Sequence, residues 1–214
     1  MSPGGHQGGV RVNTYNIMIA GVGGQGNLQC GAVLADATME AGLRPVVGET
    51  FGASRRGGGV ITHLRISEEH RGPLIPQREV DLMLGMEPLE ALRASRDFAG
   101  QRTMTVMSDM RVETMDTLSG TRAYPSTEEI AACLRDLCGE LYVISPAEAM
   151  DTLGTSRVLN AYMIGAGFCL GYMPLKRNHI RAALENMRGD TELNIRAFER
   201  GIEDAKSLTT RSDD

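Results

Sequence analysis

Residues 15–26 read YNIMIAGVGGQG, and residues 27–42 continue NLQCGAVLADATMEAG. The apolar run Tyr15–Ala20 stops at glycine, the pattern of a short buried parallel strand. Gly21-Val22-Gly23-Gly24-Gln25-Gly26 then satisfies G-x-G-x-x-G. Beyond it Leu28, Ala32, Ala35 and Met39 recur at helical spacing, and Gly42 stands where a helix ends in the left-handed conformation. Strand, glycine turn and helix in that order suit a turn whose backbone approaches a phosphate at a positive helix end. The same glycines also suit a tight turn with no ligand, and the bareness of the loop at Gly24 favours something docking against it, cofactor or second subunit.

Further short strands are expected at Pro45–Glu49, Asp81–Gly85, Thr103–Met107 and Leu141–Ser145, and at Val60–Ile66, where the pattern alternates. One helix begins with Pro88 in its first turn. Another begins at Ser126, where Glu129 completes a capping box and Ile130, Cys133, Leu134 and Leu137 line one face. The C-terminal third reads as helices over 146–153, 160–171, 178–188 and 190–206. The fold class is therefore α/β: a Rossmann-like three-layer domain with a mostly parallel sheet and a helical C-terminal third. Residues 1–14 and 207–214 are expected to be flexible tails around a single domain, 15–206.

The chain has 214 residues, 42% of them hydrophobic, and a formal net charge of −5. That composition excludes disorder along the whole length and disfavours a nucleic-acid partner. The longest uncharged apolar run, Asn160–Lys176, is interrupted by Gly165, Gly167, Gly171 and Pro174 and is too short to span a bilayer. The N-terminus lacks the apolar stretch of a signal peptide. A cytoplasmic protein with no membrane partner is expected. Cys30, Cys133, Cys138 and Cys169 form no C-x-x-C pair and sit far from histidine in the sequence, which disfavours a metal or iron–sulfur site and suggests reduced core residues. The thirteen methionines read mainly as core filler, with Met104, Met107, Met110 and Met115 as candidates for an adaptable interface.

A second anion-friendly stretch is ETFGASRRGGGVITH, residues 49–63. Arg55 and Arg56 supply forked donors, and Gly57, Gly58 and Gly59 offer successive amides for an anion-binding concavity. Glu49 closes the second strand at about the distance at which an acid reaches a ribose. His63 falls inside a strand and reads as a hydrogen-bonded structural residue. There is no thiamine diphosphate signature, no cysteine run for clusters, and no G-x-S-x-G, H-E-x-x-H or Walker loop. A subunit that completes another chain's active site explains this better than chemistry performed alone. A self-sufficient NAD(P)-dependent oxidoreductase, resting on the glycine fingerprint and Glu49, and a non-catalytic nucleotide-binding module remain alternatives.

The combination IAGVGGQG (19–26), GETFGASRRGGGVITHLRI (48–66), PLIP (73–76) and DLMLGMEPLEALR (81–93), with Asn160 and NIRAFERG (194–201), resembles the gamma-type domain of 2-oxoacid:ferredoxin oxidoreductases. Within that family it is most similar to the small (beta) subunits serving indolepyruvate. It departs from the family pattern at Asn27–Cys30 and at Gly57-Gly58-Gly59.

The resemblance implies an accessory subunit of an enzyme that oxidatively decarboxylates a 2-oxoacid, an arylpyruvate, to acyl-CoA and carbon dioxide, passing electrons to ferredoxin. Thiamine diphosphate and the iron–sulfur clusters would belong to a large (alpha) partner subunit, with no cofactor on this chain alone. Gly23, Gly24, Gln25, Gly26, Glu49, Arg55, Arg56, Gly57 and Gly58 would face substrate, CoA or partner, holding an anion by electrostatic positioning. No catalytic or metal-binding residue is assigned to this chain. Apolar surface left bare by a missing partner would drive the isolated chain to a homodimer.

Overall fold

The first strand, β1 (Tyr15–Val22), is buried over all but its first residue, as its unbroken apolar run requires of a strand covered on both faces. The computed structural model describes residues 14–52, 58–112, 123–170, 173–187 and 189–209. Around β1 lie β2 (Pro45–Phe51), β3 (Gly59–Ile66), β4 (Leu82–Gly85), β5 (Met104–Ser108) and β6 (Glu140–Ile144). They form one six-stranded sheet in the order β2-β3-β1-β4-β5-β6. β1, β4, β5 and β6 pair in parallel.

The other side of β1 is antiparallel: β3 pairs with β1, Ile19 opposite Thr62, and β2 pairs with β3, Glu49 opposite Thr62. The sheet is thus mixed. The link between β2 and β3 is a hairpin loop, closed where Gly52 N–H donates to Gly59 O at 2.8 Å. A loop of this length cannot carry the dozen or more residues of a parallel crossover. β3 therefore takes the place beside β1 where a dinucleotide-binding fold puts its second strand.

The helices are α1 (Asn27–Glu40), α2 (Pro88–Phe98), α3 (Thr127–Leu137), α4 (Ala147–Leu153), α5 (Leu159–Cys169), α6 (Arg177–Glu185) and α7 (Thr191–Thr209). α1, α5, α6 and α7 share the larger core with Ile17, Ile19, Leu64 and Leu84. α2 and α3 cover the opposite face over Met18, Met83 and Met107. This is the three-layer arrangement expected. α5 is buried from Leu159 to Gly167, and it crosses α7 so closely that a Cβ on Gly165 would stand 2.0 Å from Phe198 O and one on Gly201 2.0 Å from Tyr162 O.

The local signals behave as their chemistry predicts. Ser126 and Glu129 form the capping box of α3, Pro88 opens α2, and Gly42 takes φ +74° after α1. Four details differ. α1 does not bury the stripe Leu28, Ala32, Ala35 and Met39; it buries Cys30, Gly31, Val33, Leu34, Ala37 and Thr38. The reason is Gly31, where a Cβ would meet Thr62 Cγ2 at 2.6 Å, so the helix settles onto β3 by its small side and leaves Leu28, Ala32 and Met39 exposed, with Ala35 half-buried against the core. Cys133 is exposed on α3, although Ile130 and Leu134 are buried. Met104 and Met107 are core residues, and Met115 lies outside the described residues. α7 continues to Thr209, into the stretch expected to fray.

Candidate functional site: the rim around the glycine loop

β1 ends at Val22 and α1 starts at Asn27, so the glycine loop spans the C-terminal edge of the sheet. Gly24 (φ +102°) and Gly26 (φ +82°) adopt the left-handed conformation, which costs other residues about 1–2 kcal/mol. Gln25 folds back into the turn: its Oε1 accepts from Val22 N–H at 2.7 Å and its Nε2 donates to Met86 O at 3.2 Å. Asn27 donates from Nδ2 to Val22 O at 3.3 Å. A Cβ on Gly21 would lie 2.7 Å from Gln25 Oε1, 2.7 Å from Asn27 Oδ1 and 2.8 Å from Met86 Cβ. The crevice between the ends of β1 and β4, where an open α/β sheet receives a dinucleotide, is filled by the loop's own side chains.

Glu49 corrects the ribose reading. It lies two residues before the end of β2, is exposed, and stands two strand spacings, about 10 Å, from β1. The hairpin loop does reach the glycine loop, because Gly23 N–H donates to Gly58 O at 3.2 Å. Gly23, Gly24, Gln25, Gly26 and Gly58 thus share one edge. Arg55, Arg56 and Gly57 lie outside the described residues.

The open side of the loop faces the C-terminal helices. There a cavity of about 600 Å³ is walled by Gly24, Gly26 and Gln29 on one side and by Arg157, Gly189 and Asn194 on the other. α1 enters it with no capping side chain and no acid in its first turn, so its first amides and positive end are open to an anion. Arg157 is exposed and pairs with no carboxylate among the described residues. Asp190 stands in the same wall, but its Oδ1 accepts from Leu193 N–H at 3.0 Å and caps α7. Asn160, buried on α5, places Nδ2 3.2 Å from where a Cβ on Gly26 would be.

Arg157 was not legible as a site residue, since only the packing of α5 and α6 on α1 brings it to the loop. Two buried acids on the opposite face also escaped sequence reading. Glu87 caps α2 by accepting from Glu90 N–H at 2.8 Å and also accepts from the Tyr124 hydroxyl. Burial raises the Glu90 carboxyl above the ordinary range, against the pull of Arg93 and with a smaller push from Glu87. Burial and Glu87 likewise push the Tyr124 phenol up. The sequence hint was the acid immediately before Pro88, an N-cap position. His63 fits its expected structural part: it is buried in β3 and its Nδ1 accepts from Ile75 N–H at 3.3 Å.

Residues 16–204 match the family described as pyruvate ferredoxin/flavodoxin oxidoreductase. The chain belongs to this family. The indolepyruvate oxidoreductase subunit IorB of Archaeoglobus fulgidus is 34% identical over 194 residues, covering 90% of this chain and 96% of that protein. The crystal structure of a keto/oxoacid ferredoxin oxidoreductase gamma subunit from Geobacter sulfurreducens shares the fold, with a TM-score of 0.63 at 22% identity over 90% of this chain and 99% of the other. The 2-oxoglutarate:ferredoxin oxidoreductase from Magnetococcus marinus, with 2-oxoglutarate, coenzyme A and succinyl-CoA bound, matches 92% of this chain with 32% of its own, at a TM-score of 0.68 and 21% identity. Among the described residues no group of three or more His, Cys, Asp or Glu is placed to hold a metal ion, and no helix is long and apolar enough to cross a membrane.

Proposed function

We propose that this chain is the accessory subunit of a 2-oxoacid:ferredoxin oxidoreductase acting on an arylpyruvate such as indolepyruvate. In this reading the large subunit binds thiamine diphosphate and the iron–sulfur clusters, and ferredoxin is met through the assembled enzyme. The described residues do not offer a cluster's donor set, so no electron-transfer step is assigned to them. The four free cysteines fit the reducing compartment, the cytoplasm, to which the reading assigns the complex.

The observation that carries the reading is the rim itself: an uncapped positive helix end and the unpaired Arg157 guanidinium share a cavity with the glycine loop. Such a rim stabilises a substrate carboxylate or a CoA phosphate by preorganised charge, without moving a proton. Arg55 and Arg56, in the sequence between β2 and β3, are assigned to the same anion in this reading. The chain shapes access to a catalytic centre housed on its partner.

The test is tagged purification from the native host, with mass spectrometry of the complex and a screen of arylpyruvates, pyruvate and 2-oxoglutarate for CoA-dependent ferredoxin reduction. Recovery of a large thiamine- and iron-containing subunit with arylpyruvate activity is expected. A chain that recruits no such subunit, or that turns over a 2-oxoacid unaided, ends the reading.

A further inference from the structure

We propose that the outer edge of β2, together with the apolar stripe of α1 beside it, receives an extended segment of the large partner subunit that carries a basic side chain between apolar ones at alternate positions. The proposal rests on the accessory-subunit reading above. It locates the seat for the partner on a different part of the chain from the glycine-loop rim.

The backbone register makes the edge available. Gly52 N–H donates to Gly59 O, and Ser67 N–H donates to Arg44 O. Hydrogen-bonded pairs alternate in an antiparallel ladder, so Val46, Gly48 and Thr50 bond to β3. Val47, Glu49 and Phe51 therefore turn their N–H and C=O groups to the open side, and β2 is the last strand of the sheet. No described residue takes those groups. Such a row is a template for an added strand.

The side chains mark the same place. Among the described residues five large apolar side chains are exposed, Leu28 (43%), Met39 (57%), Val47 (39%), Phe51 (63%) and Leu74 (54%): Val47 and Phe51 stand on β2 itself, Leu74 follows the Pro73 that packs on it, and Leu28 and Met39 belong to α1, the helix that packs beside β2 and β3. Val47 and Phe51 lie opposite Leu64 and Val60, on the sheet face that α1 covers. Leu28, Ala32, Ala35 and Met39 form the flank of α1 on the side of Gly31, whose Cβ position meets Thr62 on β3. Leu74 follows Pro73, which comes 2.9 Å from a Cβ on Gly48, on the other face of the same strand. Single exposed apolar residues are ordinary, but a set gathered round one open edge marks an interaction surface.

Charge selects the occupant. Glu49 sits between Val47 and Phe51 on the strand, and Asp36 follows Ala32 on α1; neither forms an ion pair with a described residue. Arg44, before the strand begins, is the basic residue nearest in sequence. A second copy paired antiparallel about Glu49 would set two carboxylates directly opposite, which is destabilising. A partner strand with Lys or Arg at that position and apolar neighbours matches the edge in charge and in period.

Glu49→Pro removes the outward N–H and the charge, while Glu49→Gln removes the charge alone. Proline is tolerated on an edge strand where the N–H faces outward. Each purified variant, its melting temperature first matched to the unchanged chain, is titrated with the large subunit and the complex is measured by native mass spectrometry. The expected loss of affinity is about threefold for Glu49→Gln and about tenfold or more for Glu49→Pro. Phe51→Ser weakens the complex without changing the fold. Folded Glu49→Pro and Phe51→Ser chains that hold the large subunit as tightly as the unchanged chain overturn the proposal and leave the accessory-subunit reading standing. A homodimer of this chain that Glu49→Pro dissolves also overturns it, because the occupant is then a second copy. An unchanged chain that recruits no large subunit overturns both.

Discussion

Gln25 Nε2 donates to Met86 O at 3.2 Å, tying the loop after β1 to the exit of β4 across the mouth of the sheet. The same side chain satisfies Val22 N–H through Oε1. Gln25→Ala leaves that amide without its acceptor, at a cost of about 1–3 kcal/mol. Gln25→Glu keeps the acceptor but sets a carboxylate against the Met86 carbonyl, and its loss is expected to be smaller. Urea denaturation of the two variants ranks them. Equal stability to the unchanged chain in both would mean that the bridge contributes nothing.

Arg157 is the expected anion contact of the rim. Arg157→Ala in the assembled enzyme should raise the KM for CoA or 2-oxoacid several-fold while assembly survives, and the double variant Arg55→Ala/Arg56→Ala should act in the same direction. Gly24 tests the opening of the loop: a Cβ there meets nothing within 4 Å, so Gly24→Ala costs only the backbone strain of φ +102°, about 1–2 kcal/mol. Steady-state kinetics with each substrate varied separates these effects. Unchanged KM values in the Arg157 variant would remove its part in binding.

His63 makes stability depend on pH. Burial lowers its pKa below the unfolded value, near 6.5. The unfolded chain therefore takes up the proton first as pH falls, and the stability that neutral His63 confers is present above pH ~6.5 and lost progressively below it. Protonation also sets Nδ1–H against the Ile75 N–H that it now accepts, beneath the edge of the Phe98 ring at 5.4 Å. The stability difference between the unchanged chain and His63→Leu should shift against the unchanged chain between pH 7 and pH 5. Denaturation curves that keep a constant difference over that range would refute it.

The α5–α7 crossing admits no side chain at its two glycines. Gly165→Ala and Gly201→Ala each drive a methyl into a backbone carbonyl 2.0 Å away, and the helices must part. Overpacking of this kind costs about 3 kcal/mol or more. Thermal melts of each variant check it, and a shift of only a degree or two would show that the crossing relaxes freely.

The strands and helix starts were legible because each rests on local chemistry. β1 reads from Tyr15 to Ala20 as a short apolar run that stops at glycine, Ser126 and Glu129 announce α3, and Gly42 ends α1 with the kind of residue that takes φ +74° without strain. The candidate site was legible in part. Gly23 to Gly26 and Gly58 do meet at one edge of the sheet, while Glu49 does not reach it and Arg157 was invisible. Periodicity marked Leu28, Ala32, Ala35 and Met39 as an apolar stripe, but periodicity does not say which side of a helix the sheet occupies.

Alone, the chain's order of residues determined the α/β class, the glycine turn at the head of α1 and the family, since each depends on neighbours a few positions apart or on motifs read in place. Tertiary structure decided the rest: β3 between β1 and β2, Gly31 in place of Leu28 against the sheet, and Arg157 across a cavity from Gly24. Those outcomes depend on close approach between segments distant in the chain, where a missing Cβ or a short hairpin selects one packing over another, and no local pattern encodes that choice.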